Sequence, residues 1–162
     1  MAKYLKPDFL FEHFSNISIQ WLEEQQITHI FSDLDSTLAA HDQLDKGSAA
    51  QEWVAMLKDN NIHLTIISNN SQGRVDRFTS QFDIKGYGKI NKPSTKIIGG
   101  IMESLGAKPS TSLFLGDQIF TDVVCGSRLG MKTALVKPIE PEHEPWNINL
   151  KRKLESVIRR AW

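Results

Sequence analysis

An α/β fold organised around a parallel sheet is predicted for this 162-residue chain, and three observations predict it. Short apolar runs alternate with amphipathic stretches between residues 27 and 137, the pattern of strands joined by crossover helices. The runs end in polar clusters, where open parallel sheets present their ligand crevice. The first run, closing at Phe31, leads straight into Ser32-Asp33-Leu34-Asp35-Ser36-Thr37, so two carboxylates spaced i and i+2 leave one strand end together. Two acids that close repel, and one protonates unless a cation lies between them. A Mg²⁺ ion removes the repulsion and gives the pair a use in phosphoryl transfer.

Residues 28–32 read as the first strand. Residues 46–60 read as a helix, because Ala50, Trp53, Val54 and Leu57 recur at helical spacing. A strand over 62–68, a helix over 71–82 and a short strand around Tyr87 follow. Pro93 opens a helix over 94–105, for which Gly106 is the stop. Then come a strand over 112–115, a helix over 119–129 ended by Gly130, and a last strand over 133–136. This makes a three-layer arrangement with five parallel strands and helices on both faces. Residues 138–145, acidic and interrupted by Pro138, Pro141 and Pro145, cannot form a helix and read as a linker. Residues 146–162 read as a basic helix. The first 25 residues carry a separate apolar set of Phe9, Leu10, Phe11, Phe14, Ile17, Trp21 and Leu22. No insertion after Asp35 is long enough for a lid domain, so the crevice is expected to be open. The chain reads as one domain over 1–162, with its core at about 27–137.

Composition bounds the function. With 40% hydrophobic and 23% charged residues the chain is expected to be soluble and globular. Its formal net charge is zero, so no whole-molecule field points to nucleic acid. The one cysteine, Cys125, excludes an internal disulfide and falls within a predicted helix, as a buried apolar thiol does. No run of about 18 apolar residues is present, and the N-terminus lacks the core of a secretion signal. The expected location is the cytoplasm, free or at a surface.

Four polar signals follow the strands in order: Asp33-x-Asp35-x-Thr37, Ser68-Asn69-Asn70, Lys92-Pro93, and Gly116-Asp117-Gln118-Ile119-Phe120-Thr121-Asp122. Each alone has a plain reading as a turn, cap or solvated residue. Their joint order at strand ends and helix starts does not. His13, His29, His41, His63 and His143 show no metal-ligand spacing. His41 follows the first motif and is expected as an exposed loop residue within reach of a substrate.

The set resembles the haloacid dehalogenase (HAD) superfamily of aspartate-nucleophile phosphatases over roughly residues 27–137. The resemblance implies a Rossmann-like fold without a large cap, and a Mg²⁺ cofactor. It implies that Asp33 is the nucleophile, forming an aspartyl-phosphate, and that Asp35 is the general acid and base. Mg²⁺ would be held by Asp33, the main-chain carbonyl of Asp35 and Asp117, with Asp122 supporting that shell. Ser68, the backbone N–H of Asn69, and Lys92 would bind the phosphoryl group, and Thr37 would brace the loop bearing Asp35 on the same phosphate-binding side.

Within the superfamily the chain is similar to YqeG-type phosphatases of subfamily IIIA. The stretches that carry this are Ile27 to Leu38, Trp53, Ile67 to Ser71 with Arg74, Lys92-Pro93, and Gly116 to Val123 with Gly126, Arg128 and Gly130. The usual wording of the first motif has Asn where this chain has Ser36. This group is similar to phosphatidylglycerophosphate phosphatases, which implies a lipid phosphate substrate and phospholipid metabolism. Two readings of the residues agree with it: the open crevice, and the amphipathic pattern of 146–162. There Leu150, Leu154, Val157, Ile158, Ala161 and Trp162 share a face, while Lys151, Arg152, Lys153, Arg159 and Arg160 fill much of the rest. Such a helix lies on anionic membranes, or packs its apolar face on its own core or on a second copy, so a homo-oligomer stays open. The rival functions are a phosphatase of a soluble sugar or nucleotide phosphate, and a non-catalytic module that binds protein or RNA through the basic tail.

Overall fold

The computed structural model describes residues 2–41 and 48–162. Six parallel strands form one sheet in the order β1-β6-β5-β2-β3-β4. They are β1 (Phe9–Phe11), β2 (His29–Ser32), β3 (His63–Ile67), β4 (Lys85–Tyr87), β5 (Ser112–Gly116) and β6 (Lys132–Val136). The helices are α1 (Ile19–Glu24), α2 (Ser48–Asp59), α3 (Gln72–Thr79), α4 (Lys96–Ser104), α5 (Val124–Arg128) and α6 (Trp146–Arg159). The start of the helix expected from residue 46 lies outside the described residues.

Alternation along the central strands divides the core into two layers. Ile30, Leu64, Ile66, Leu113 and Leu115 face a cluster closed by Leu22 of α1, Trp53, Val54 and Leu57 of α2, and Val75 and Phe78 of α3. Phe31, Ile67 and Phe114 face the opposite cluster, closed by Ile98, Ile101 and Met102 of α4 and by Cys125 of α5. This is the expected three-layer arrangement. Gly106 and Gly130 sit at φ +65° and +76° just past α4 and α5, the left-handed conformation that ends helices.

The sheet has six strands rather than the expected five. The sixth is β1, from the apolar N-terminal set, paired with β6 through Phe9↔Ala134 and Phe11↔Val136. Three residues are too few to show an alternation in sequence. In the fold Phe9 and Phe11 pack edge-on against Trp21 at 4.8 and 5.1 Å, while Leu10 points outward. Asp8 fixes the entry to β1 by accepting from the Thr133 backbone N–H at 2.8 Å.

Residues 138–145 are not a linker. Ile139 N–H donates to the Ser36 carbonyl at 2.8 Å, Pro141–His143 form a 3₁₀ turn, and Glu144 is buried. A proline-rich acidic segment looks solvated in sequence because the cation that neutralises Glu144, Arg152, lies on the following helix.

α6 also departs from the usual packing. Its buried residue is Glu155, with Arg152 half-buried beside it, whereas Trp146, Leu150, Leu154 and Val157 are 78%, 53%, 57% and 63% exposed. The polar face docks and the apolar stripe faces out. Among the described residues no helix is long and apolar enough to cross a membrane.

Candidate active site

The register of the central strands assembles the site. Ser32 of β2 pairs with Leu115 of β5 and with Ile66 of β3. Asp33 and Asp117 therefore emerge side by side, with Ser68 on the other flank of Asp33. The chain goes from β2 to β3 on one side while β5 lies on the other, which is the topological switch point where such sheets bind ligands. Asp33 extends the ladder, its N–H donating to the Leu115 carbonyl at 2.9 Å.

The segment after β5 is shaped around Asp122. Residues Ile119–Val123 form a π-helical turn leading into α5, an irregularity common at functional sites. It folds Asp122 back so that its Oδ2 accepts from the backbone N–H of Asp117 at 3.2 Å and of Gln118 at 3.1 Å. A Cβ on Gly116 would lie 2.3 Å from the Asp122 side chain, so only glycine allows this approach.

Asp33, Asp117 and Asp122 are buried, and each offers an oxygen within 4.8 Å of the other two. Lys92 Nζ bridges Asp33 Oδ1 at 2.8 Å and Asp122 Oδ1 at 2.7 Å. Thr37 Oγ1 donates to Asp117 Oδ1 at 2.7 Å. Arg152, reaching in from α6, pairs with Asp117 Oδ2 and Glu144 Oε1, and its Nε donates to Glu144 Oε2 at 2.6 Å. Asp35 is held by the buried Arg74, whose Nε lies 3.1 Å from its Oδ1, and by Asn70 Nδ2 at 2.9 Å from its Oδ2. Asp33, Asp35, Asp117, Asp122 and Glu144 are five carboxylates against the three cations Lys92, Arg74 and Arg152. Among these paired groups carboxylates outnumber cations, an imbalance that favours a bound cation.

The electrostatics point the same way. Burial drives the Asp33 carboxyl well above its ordinary range, helped by Asp122 and Asp117 and opposed by Lys92. Asp117 is likewise raised by burial and by Asp122, against Arg152 and Thr37. Burial alone would lower Lys92, but Asp122 and Asp33 outweigh it, so the ammonium is held more firmly than usual. Close oxygen donors whose charge is held back by one another are the donor set a hard divalent cation relieves. Cys125 takes no part: burial pushes its thiol up to about 12.

A crevice of about 340 Å³ opens over the cluster, lined by Asp33, Asp35, His41, Ser68, Asn69 and Lys92 and, from α6, by Asn147, Ile148 and Lys151. A larger hollow of about 470 Å³, lined by His29, Lys58 and His63 among others, lies at the opposite end of the sheet and contains none of the motif residues.

The fold thus brings together Asp33, Asp35, Ser68, Asn69 and Lys92 at the crevice, with Asp117, Asp122 and Thr37 behind them. One contact differs from expectation and one was not foreseen. The Thr37 hydroxyl faces Asp117 rather than the crevice, because residues 34–39 turn back on themselves. The Asn69 side chain brackets the Lys92 backbone, accepting its N–H at 2.6 Å and donating to its carbonyl at 3.1 Å. Sequence reasoning assigned no role to Asn70, Arg74 or Glu144, and it placed Arg152 on the basic face of an interfacial helix, whereas the structure turns Arg152 inward onto Asp117 and Glu144. Asn70 adjoins a recognised motif and could have been found. Arg152 looks like any other basic residue of its helix.

Residues 10–136 match the haloacid dehalogenase-like hydrolase family. The chain belongs to that family and is an HAD-type hydrolase of the phosphatase kind. It is 29% identical, across 99% of its own length and 95% of the relative's, to the probable phosphatase YqeG of Bacillus subtilis (strain 168). Over 62 residues, 38% of this chain and 18% of the other, it is 32% identical to phosphatidylglycerophosphate phosphatase 1, chloroplastic/mitochondrial, of Arabidopsis thaliana. A subfamily III A HAD hydrolase structure from Legionella pneumophila shares the fold, with a TM-score of 0.53 at 18% identity over 80% of this chain and 74% of that one.

Proposed function

We propose that the chain, as a single domain over 1–162, is a Mg²⁺-dependent phosphomonoester hydrolase whose preferred substrate is a lipid phosphate, phosphatidylglycerophosphate. The observation that carries this reading is the buried carboxylate cluster of Asp33, Asp117 and Asp122 at the crevice floor. Asp33 attacks phosphorus, the ester oxygen leaves with the proton of Asp35, and an aspartyl-phosphate remains. Water then attacks phosphorus while Asp35 takes its proton, and inorganic phosphate departs. Arg74 and Asn70 aim the Asp35 carboxyl. Lys92, Ser68 and the Asn69 backbone N–H face the phosphoryl oxygens, and preorganised donors of this kind contribute about 3 kcal/mol each. Asp33, the Asp35 carbonyl and Asp117 would hold Mg²⁺, with Asp122 in support, and its charge would offset that of nucleophile and ester.

Two observations support the lipid assignment: the partial similarity to a phosphatidylglycerophosphate phosphatase, and the outward apolar stripe of α6, flanked by Lys153 and Arg160. The same helix lines the crevice, so a bilayer against the stripe would lie near the crevice mouth. In this reading the chain is cytoplasmic and peripheral at the inner face of the membrane.

The test is phosphate release, with Mg²⁺, from phosphatidylglycerophosphate in vesicles beside a panel of soluble esters, with Asp33→Asn and a chelator as controls. Asp33-dependent release from the lipid alone is expected. Release mainly from a soluble ester would leave the chemistry standing and remove the lipid assignment. Silence toward every ester would favour a binding module.

A further inference from the structure

Arg152 and Glu144 form a buried pair that the proposed chemistry does not use. The Glu144 and Asp117 side chains are fully enclosed, and Arg152 is 16% exposed between them. Arg152 also donates through Nη1 to the Asp117 carbonyl at 3.2 Å. Since Thr37 occupies Asp117 Oδ1 and Arg152 occupies Oδ2, both oxygens of this carboxylate already have donors. A cation approaching Asp117 must share an oxygen with a hydroxyl or a guanidinium. Neither Arg152 nor Glu144 lines the crevice; Arg152 reaches the cluster through Asp117, and Glu144 acts on it through Arg152, with His41 as its other charged neighbour.

We propose that Arg152 and Glu144 are positioning residues that tune the metal site. Arg152 orients the Asp117 carboxylate and competes with the divalent cation for it, while Glu144 draws part of the guanidinium's charge away and so sets the strength of that competition. This rests on the metal-dependent reading above. It carries a sign that a merely structural pair would not show. A neutral residue at 152 leaves more negative charge on Asp117 and tightens metal binding. A neutral residue at 144 removes a negative charge, gives the guanidinium wholly to Asp117 and weakens it. Loss of a purely structural pair would loosen the site and weaken binding in both cases.

The experiment is calorimetric titration of Mg²⁺ into the full chain, with circular dichroism to verify folding. Arg152→Gln is expected to bind Mg²⁺ at least about fivefold more tightly and Glu144→Gln at least about fivefold more weakly, as the opposite signs of the two charges require. Arg152→Lys keeps the charge without the bidentate fork: its affinity stays within about twofold of the natural chain while kcat falls. Weakening in both neutral variants, or no change in either, would overturn the proposal. If Arg152→Gln does not fold, Arg152→Lys decides: Mg²⁺ affinity kept within about twofold supports the proposal, and a larger loss of affinity overturns it. Absence of Mg²⁺ binding by the natural chain would instead refute the metal-dependent reading itself.

Discussion

Replacing Lys92 with methionine tests the charge balance of the site directly. The substitution keeps most of the side-chain volume, including the stem beside Phe114 (Nζ lies 5.6 Å from the ring centre), and removes the ammonium that bridges Asp33 and Asp122. Taking one partner out of a buried ion pair costs about 3–5 kcal/mol, and in a chain of this size each kcal/mol moves Tm by about 2–4 °C. Protonation limits the cost, because Asp33 is already pushed toward its neutral form. The expected fall is therefore in the lower part of the range, about 6–10 °C. Mg²⁺ should restore part of it, since a divalent cation supplies the charge that was lost, and should raise Tm more in Lys92→Met than in the natural chain. Thermal unfolding followed by circular dichroism, with and without Mg²⁺, measures both quantities. A fall below about 2 °C, or a smaller Mg²⁺ effect in the variant, would refute the view of Lys92 as the counter-cation of this cluster.

Three further outcomes are expected. Gly116→Ala forces a Cβ to within 2.3 Å of the Asp122 side chain and should lower stability in urea unfolding by about 1–3 kcal/mol, with activity lost beyond what the stability change explains. For Glu144, burial alone would raise the pKa, but the Arg152 contacts outweigh it and hold the carboxyl below its ordinary value of 4.5. A depressed folded pKa contributes stability that is complete above the unfolded value and is lost as pH falls through the folded one. The stability gap between the natural chain and Glu144→Gln should thus be constant above about pH 5 and close on acidification; a gap that widens instead would contradict the pairing. Serine at both Leu154 and Val157, which are exposed, should change stability by no more than about 0.5 kcal/mol while abolishing sedimentation with anionic vesicles. Retained sedimentation would remove the α6 stripe from the membrane reading.

Much of the candidate site was legible in sequence because the groups proposed to do chemistry sit where a strand ends. Asp33, Ser68 and Asp117 each follow an apolar run that betrays its strand, and parallel pairing of such runs brings their ends together whatever lies between. The groups that hold these residues in place were less legible. Arg74 reaches Asp35 across 39 residues, and Thr37 reaches Asp117 across 80; no local pattern encodes such a pair. Ser36 shows a middle case. It lies at φ +64°, a conformation Asn tolerates better than most residues, which gives a physical reason why the related motif usually has Asn there.

The segments flanking the core divide the same way. The N-terminal apolar set announced burial, yet only pairing with β6 made residues 9–11 a strand, since three residues cannot declare a period of two. The amphipathic pattern of α6 was plain in the sequence, but not the direction in which its faces would turn.

The sequence by itself determined the α/β class, the order of the central elements and the residues at the strand ends, because hydrophobic periodicity and turn chemistry are local. Only the tertiary structure decided that Arg152 and Glu155 would be the buried side of α6, leaving its apolar stripe exposed. That choice depends on Asp117 Oδ2, which Thr37 leaves without a donor, and on the Phe120 backbone N–H, both just past the C-terminal end of the central strand β5; Arg152 meets the first and Glu155 the second, at 3.0 Å. A buried charge or donor left without a partner is costly, and that cost opposes the gain that burying the apolar stripe would bring.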